Sequence, residues 1–132
     1  MSRKLLLVED KPTTRAALLE MLAHTPFVVD CANDGLEGLN KAKAEHYDVV
    51  LADHKMPLMD GINLLRNLRA LESYAQTPLL LMSTQDLKQV EESATRSGAD
   101  LCLPKPIDQQ RLLELLADLW QTMQTPLRPE IS

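Results

Sequence analysis

The sequence predicts an α/β chain built on a doubly wound, five-stranded parallel sheet with strand order 2-1-3-4-5. Three observations lead there. Five short apolar runs recur along the 132 residues, each ending in polar punctuation. After each run the apolar spacing changes to the three-and-four pattern of a helix. The runs are continuous, as strands covered on both faces read. Right-handed crossovers then leave few topologies, of which 2-1-3-4-5 is the common five-stranded one.

Leu5-Leu6-Leu7-Val8 is the first run, stopped by Glu9-Asp10. Pro12 stands at a first-turn position, and Ala17, Leu18, Met21 and Leu22 follow at helical spacing. Phe27-Val28-Val29 with Cys31 reads as the second strand. Asn33-Asp34-Gly35 opens a second helix carrying Leu36, Leu39 and Ala42. Asp48 to Ala52 is the third strand, and Ile62, Leu64, Leu65, Leu68 and Leu71 form the cleanest helical stripe in the chain. Leu79 to Met82 is the fourth strand. The polar segment Gln85 to Ser97, with a narrow stripe of Leu87, Val90 and Ala94, ends at Gly98. Leu101-Cys102-Leu103 makes a short fifth strand. Asp108 suits the N-cap of the last helix, which carries Leu112, Leu113, Leu116, Leu119, Trp120 and Met123, with Ile107 placed to staple onto Leu112. Residues 1–123 are expected to form one domain, and the proline-rich residues 124–132 a tail or truncated linker.

Composition narrows the function classes. Hydrophobic residues at 45% and charged residues at 25% are ordinary for a soluble globular domain, while 3% aromatics demand an aliphatic core. A net charge of −5 argues against direct nucleic-acid binding and against an anionic membrane surface. No apolar window approaches the roughly 18 residues of a membrane span, and the first apolar run is too short for a signal peptide. A cytoplasmic location without membrane insertion is expected. Cys31 and Cys102 fit no metal or redox spacing and are expected to be free thiols.

The expected strand order makes strands 1 and 3 neighbours at the switch point, where ligands bind beyond the carboxyl ends. Those ends carry Glu9-Asp10 and Asp53, strand 4 ends in Ser83-Thr84, and strand 5 runs into Lys105-Pro106. Like charges about 4 Å apart repel by roughly 4 kcal/mol at an effective dielectric near 20, so three clustered carboxylates need a cation. Oxygen ligands without His or Cys at ligand spacing suit Mg2+ better than Zn2+. Such a metal beside a lysine and a carboxylate can hold a phosphoryl group while an oxygen nucleophile attacks. Asp53 is the candidate nucleophile, Glu9 and Asp10 the candidate Mg2+ ligands, Ser83 and Thr84 candidate donors to phosphoryl oxygens, and Lys105 a point charge. Taken singly each has a plainer role: Glu9-Asp10 as a helix-start pair, Asp53 as a turn acid, Ser83 as a strand-end hydroxyl, Lys105 as a solvated charge. Their joint placement favours a site. His54, one residue past Asp53, points to the opposite face and is expected at the rim. His24 and His46 read as surface residues.

The motifs LLLVED, VVLADHKMPLMDG, LLLMST and GADLCLPKP, in this order, resemble the receiver domain of bacterial two-component response regulators, in particular single-domain, chemotaxis-regulator-like ones. The resemblance spans Lys4 to about Met123 and implies the flavodoxin-like (βα)5 receiver fold. It implies transfer of a phosphoryl group from the phosphohistidine of a sensor histidine kinase or phosphotransfer protein to Asp53. It assigns Glu9 and Asp10 to the Mg2+ pocket, with the backbone carbonyl of Lys55 as a further ligand. Ser83 matches the switch hydroxyl, and Lys105 the lysine that pairs with the phosphoryl group, its bond to Pro106 usually cis. Met56-Pro57 and Asp60-Gly61 match the turn at the rim. Lys55 and Gln85 fall where the family tunes phosphoryl lifetime. Cys102 stands where the family often has an aromatic residue, and Thr84 where it usually has a small one. Downstream partners are implied on the face of the fourth helix, fifth strand and fifth helix, where Trp120 reads as core or as a contact anchor.

Other classes remain open at this level. A flavodoxin-like cofactor module needs a phosphate-cradling loop after strand 1, where Glu9-Asp10 stands instead. A phosphohydrolase resembling haloacid dehalogenases needs an acid two residues after the nucleophile, where Lys55 stands. A phosphorylation-independent interaction module predicts partner binding that survives Asp53→Asn. The chain reads as a signalling phosphoacceptor, not an enzyme acting on other substrates, and either stands alone or ends in the linker to an output domain.

Overall fold

The structure, a computed structural model, describes residues 3–84 and 87–124. The expected tail beyond Gln124, Gln85 and the side chain of Leu87 lie outside the described residues. Five strands, β1 (Lys4–Val8), β2 (Val28–Ala32), β3 (Val49–Asp53), β4 (Leu79–Ser83) and β5 (Leu101–Pro104), form one sheet. The helices between and after them are α1 (Pro12–Leu22), α2 (Gly35–Ala44), α3 (Gly61–Arg69), α4 (Leu87–Ser97) and α5 (Gln109–Gln124), with a 3-10 turn at Glu72–Tyr74. The order is β2-β1-β3-β4-β5 and every pairing is parallel. This is the doubly wound architecture that the continuous apolar runs predict.

Alternation along the strands divides the core into two layers. Leu6, Val8, Val50, Ala52, Leu79 and Leu81 face α2, α3 and α4, where Leu39, Leu64, Leu65, Leu68, Val90 and Ala94 meet them. Leu5, Leu7, Val49, Leu51, Leu80, Met82 and Leu103 face α1 and α5, against Leu18, Leu22, Leu112 and Leu116. Burying one such side chain is worth roughly 1.5–3 kcal/mol, so the central strands supply much of the stability. Cys31 belongs to the second layer and Cys102 to the first, on opposite sides of the sheet.

Helix starts follow the expected caps. Pro12 opens α1, and Asp34 Oδ1 accepts from Glu37 N–H at 2.8 Å. Glu37 Oε1 accepts in return from Asn33 N–H at 2.6 Å, a reciprocal cap one residue out of the usual register. Asp108 Oδ1 accepts from Gln110 N–H at 3.0 Å, and Ile107 packs on the layer that contains Leu112. Gly98 ends α4 with φ +110°, a conformation that favours glycine.

Four sequence expectations need correction. Phe27 precedes β2, buried under the helical layer; Trp120 meets it edge to face, ring centroids 5.2 Å apart. β3 is shifted by one residue from the expected Asp48–Ala52 to Val49–Asp53, because its ladder continues to the pair Asp53 and Met82. Ala17 and Leu36 occupy helical positions that fit the stripe, yet both are exposed, since α1 and α2 each bury a narrower face.

Candidate phosphoacceptor site

The carboxyl ends of β1, β3, β4 and β5 converge on one edge of the sheet, and their polar residues meet there. Glu9 follows β1 directly; its backbone N–H donates to Ala32 O at 3.1 Å, which extends the β2 pairing by one residue. Its carboxylate is wholly buried, and Arg15 Nη1 donates to its carbonyl at 2.8 Å. Asp53 ends β3 at 4% exposure, and its Oδ1 accepts from the His54 N–H at 2.9 Å. Gly61 sits tightly over this strand end. A Cβ on it would stand 2.2 Å from Asp53 O, so only glycine lets the β3–α3 loop lie this close. Its N–H donates to His54 O at 2.8 Å.

Lys105 comes from the loop after β5, its bond to Pro106 cis. Its Nζ lies 3.0 Å from Asp53 Oδ1 and 3.1 Å from Glu9 Oε1. Burial opposes the ammonium charge, yet the hydrogen bonds and charges of Asp53 and Glu9 outweigh it, and the Lys105 pKa is raised. Burial and the neighbouring Asp53 charge push the Glu9 carboxyl above its ordinary range, against the pull of Lys11 N–H and Lys105. One ammonium therefore faces two buried carboxylates, with Asp10 as a third acid at the rim.

One carboxylate oxygen from each of Glu9, Asp10 and Asp53 lies within 4.8 Å of the others, a span that a single cation can bridge. Asp10 Oδ1 is buried and has no hydrogen-bond partner among the described residues. A buried carboxylate oxygen without a partner is costly, and a hard cation would satisfy it. The donor set is all oxygen, which fits Mg2+.

Ser83 ends β4 and is buried at 1% exposure. Thr84 follows it, exposed, and lines a cleft of about 410 Å³ together with Lys11, Ala17, Met21, Lys105 and Pro106. The Lys55 side chain is exposed beside the site. Cys102 is buried on the Val90 and Ala94 side of the sheet.

His54 departs from its expected place. It does point to the opposite face from Asp53, but it is buried at 6% exposure and not at the rim. The hydrogen bonding between β3 and β4 reaches one residue past β3, with His54 N–H donating to Met82 O at 2.8 Å. The imidazole thus turns inward, and its Nδ1 lies 3.1 Å from Ser83 Oγ. Burial, and then the Lys55 charge, lower its pKa. The signal was present in the sequence as parity: once Asp53 pairs with Met82, residues 54 and 83 share a face. His24 and His46 are exposed, and His46 stacks on Tyr74 with ring centroids 5.0 Å apart.

Residues 5–117 match the response regulator receiver domain family. The chain belongs to that family. Among curated relatives, the receiver is 34% identical over 117 residues to the sensor protein EvgS of Escherichia coli, covering 89% of this chain and 10% of that protein. It is 41% identical over 105 residues to the transcriptional activator protein PfeR of Pseudomonas aeruginosa, covering 80% of this chain and 33% of that one. The receiver thus spans a small part of these longer relatives. Its fold superposes on the chemotaxis response regulator CheY4 of Vibrio cholerae with a TM-score of 0.83 at 29% identity, over 90% of this chain and 99% of that one. The receiver domain of a Pseudomonas aeruginosa sensor histidine kinase matches with a TM-score of 0.80 at 26% identity, over 95% of this chain and 100% of that one. That structure holds a magnesium ion in its active site cleft. The protein is thus a receiver of the two-component type, with the flavodoxin-like fold of phosphorelay signalling domains. No described helix is long and apolar enough to cross a membrane.

Proposed function

We propose that this receiver takes a phosphoryl group from the phosphohistidine of a sensor histidine kinase or phosphotransfer protein onto Asp53. The observation that carries the reading is the pair of contacts from Lys105 Nζ to Asp53 Oδ1 and Glu9 Oε1, beside the unpartnered buried oxygen of Asp10. A site with those charges already holds a cation and has room in its ligand set for a second.

Residues Glu9, Asp10 and Asp53, with the backbone carbonyl of Lys55, would hold Mg2+. When bound, the metal offsets phosphoryl charge. The residues of the chain do the rest. Strand β3 holds Asp53 still, so that a carboxylate oxygen is presented in line with the donor. That oxygen forms a bond to phosphorus while the donor P–N bond breaks, and the bonding pair returns to the imidazole nitrogen. Lys105, which meets Asp53 and Glu9 before the transfer, pairs with a phosphoryl oxygen after it. Thr84 lines the cleft through which the donor and, later, water approach, and its hydroxyl is a further donor to phosphoryl oxygens. Ser83 is the switch hydroxyl. The chemistry extends no further than self-phosphorylation and hydrolysis, so the protein is a phosphoacceptor and not an enzyme of other substrates.

Phosphorylation biases a two-state element, and moving it from about 1:99 to 99:1 takes roughly 5.5 kcal/mol of differential stabilisation. Downstream proteins would meet the face of α4, β5 and α5, where Leu101 is 43% exposed. Residues 1–123 are assigned to the receiver and 124–132 to a tail or linker, in a cytoplasmic setting.

Intact-mass spectrometry after incubation with a small acyl phosphate and Mg2+ tests the assignment. A single base-labile phosphoryl adduct is expected, absent in Asp53→Asn and in metal-free buffer. An adduct that persists in Asp53→Asn places the chemistry elsewhere. No adduct at all favours an interaction module that works without phosphorylation.

A further inference from the structure

The parallel register sets Asp53 opposite Met82. One residue on, His54 and Ser83 share the other side of the sheet, because side chains alternate along extended backbone. Their side chains meet there: His54 Nδ1 lies 3.1 Å from Ser83 Oγ, with both residues buried. The backbone fixes the imidazole in place, since His54 N–H donates to Met82 O and His54 O accepts from Gly61 N–H, both at 2.8 Å. The Asp53 carboxylate instead faces Lys105. Ser83 therefore has an imidazole on one side of the strand ends and a carboxylate on the other.

We propose that His54 is a positioning residue for the switch: its imidazole holds the Ser83 hydroxyl away from Asp53, and a phosphoryl group on Asp53 competes for that hydroxyl. The inference rests on the reading of Asp53 as phosphoacceptor and of Ser83 as switch hydroxyl. Only hydrogen bonds are exchanged, by rotation of Ser83 about its Cα–Cβ bond. Either imidazole tautomer serves, because a hydroxyl both donates and accepts. Phosphoryl oxygens win the competition because charge-assisted hydrogen bonds are roughly twice as strong as neutral ones. Without the imidazole the hydroxyl turns in more readily, and one neutral hydrogen bond is worth roughly a two- to tenfold change in that equilibrium.

The test uses the full chain and imidazole 15N NMR, with the His54 signals among the 3 histidines assigned by His54→Leu. Before phosphorylation, the Nδ1 resonance of His54 is expected to differ between wild type and Ser83→Ala. After acyl phosphate and Mg2+ it should move toward the Ser83→Ala position, while intact mass on the same sample reports the adduct. Identical resonances at the start overturn the contact. An unmoved resonance in a sample that carries the adduct overturns the exchange and leaves the phosphoacceptor reading standing. Absence of the adduct overturns that reading, and the exchange with it. A second measurement separates positioning from packing. His54→Leu should lower the half-saturating concentration of beryllium fluoride, read from amide resonances with Mg2+ present, by roughly two- to tenfold. His54→Asn, which returns a polar atom near the place of Nδ1, should restore the wild-type value. An unchanged or higher value in His54→Leu, or a failure of His54→Asn to restore it, sinks the proposal.

Discussion

Lys105 Nζ lies 3.0 Å from Asp53 Oδ1, although β4 stands between β3, which ends in Asp53, and β5, which leads into Lys105. The lysine reaches this place because the loop after β5 folds over the end of β4, tied by Lys105 N–H to Ser83 O at 2.9 Å. The reach has an electrostatic reason. Glu9 and Asp53 are both buried, and without the ammonium they would repel across the site.

Lys105→Met keeps the aliphatic stem and removes that charge. Removing one member of a buried charge cluster costs roughly 3–5 kcal/mol, and here two acids are left facing each other. Denaturant unfolding in metal-free buffer is expected to show a loss near the lower end of that range. Millimolar Mg2+ should recover part of it by taking over the charge compensation. A loss identical with and without Mg2+ would count against a cation in the acidic cluster.

Tyr47 offers a pH dependence remote from the site. Its hydroxyl donates to Asp30 Oδ2 at 2.7 Å, and burial followed by that bond raises its pKa well above the ordinary tyrosine range. The folded state thus holds this proton more tightly than the unfolded chain. The sign follows from linkage: the contribution is complete below the unfolded value of about 10 and is lost as pH rises beyond it. Wild type should lose stability above about pH 10 more steeply than Tyr47→Phe, measured by urea unfolding across that range. Equal slopes would mean that the hydroxyl titrates alike in both states.

Much of this was legible in the sequence. The five strands and the meeting of Glu9, Asp10, Asp53 and Lys105 follow from apolar periodicity and strand-end chemistry, since a parallel sheet leaves little choice about where strand ends go. His54 shows where such reading stops. Its facing direction came from parity, but its burial depended on how far β3 extends and how closely Gly61 covers it, which are tertiary facts. Ala17 and Leu36 failed for a related reason: helical spacing marks a stripe, while its width is set by the neighbouring layer.

Trp120, the single tryptophan, meets Phe27 with ring planes at 86° and centroids 5.2 Å apart. Phe27 precedes β2, at the end of the sheet opposite the acidic cluster. Phe27→Leu removes an edge-to-face pair worth about 0.5–1.5 kcal/mol beyond area burial, besides the lost volume. A total cost of about 1–3 kcal/mol and a red-shifted Trp120 emission are expected, with the yield of phosphoryl adduct unchanged. A changed yield would show that the far end of the sheet is coupled to the site.

Asp10 gives the sharpest test of the metal, because its buried Oδ1 has no hydrogen-bond partner among the described residues while Glu9 and Asp53 share Lys105. Two opposing effects can be separated. In metal-free buffer, Asp10→Asn removes one of three crowded negative charges, so stability should hold or rise by about 1 kcal/mol. In Mg2+ the wild type gains by mass action, roughly 2.7 kcal/mol when the metal stands at 100 times its Kd. Asp10→Asn has lost a charged ligand and should gain little at the same concentration. Unfolding both proteins across a Mg2+ series therefore yields two curves that cross. Parallel curves would assign the Mg2+ response to general ionic screening, and the Asp10 oxygen would then need another explanation for its burial.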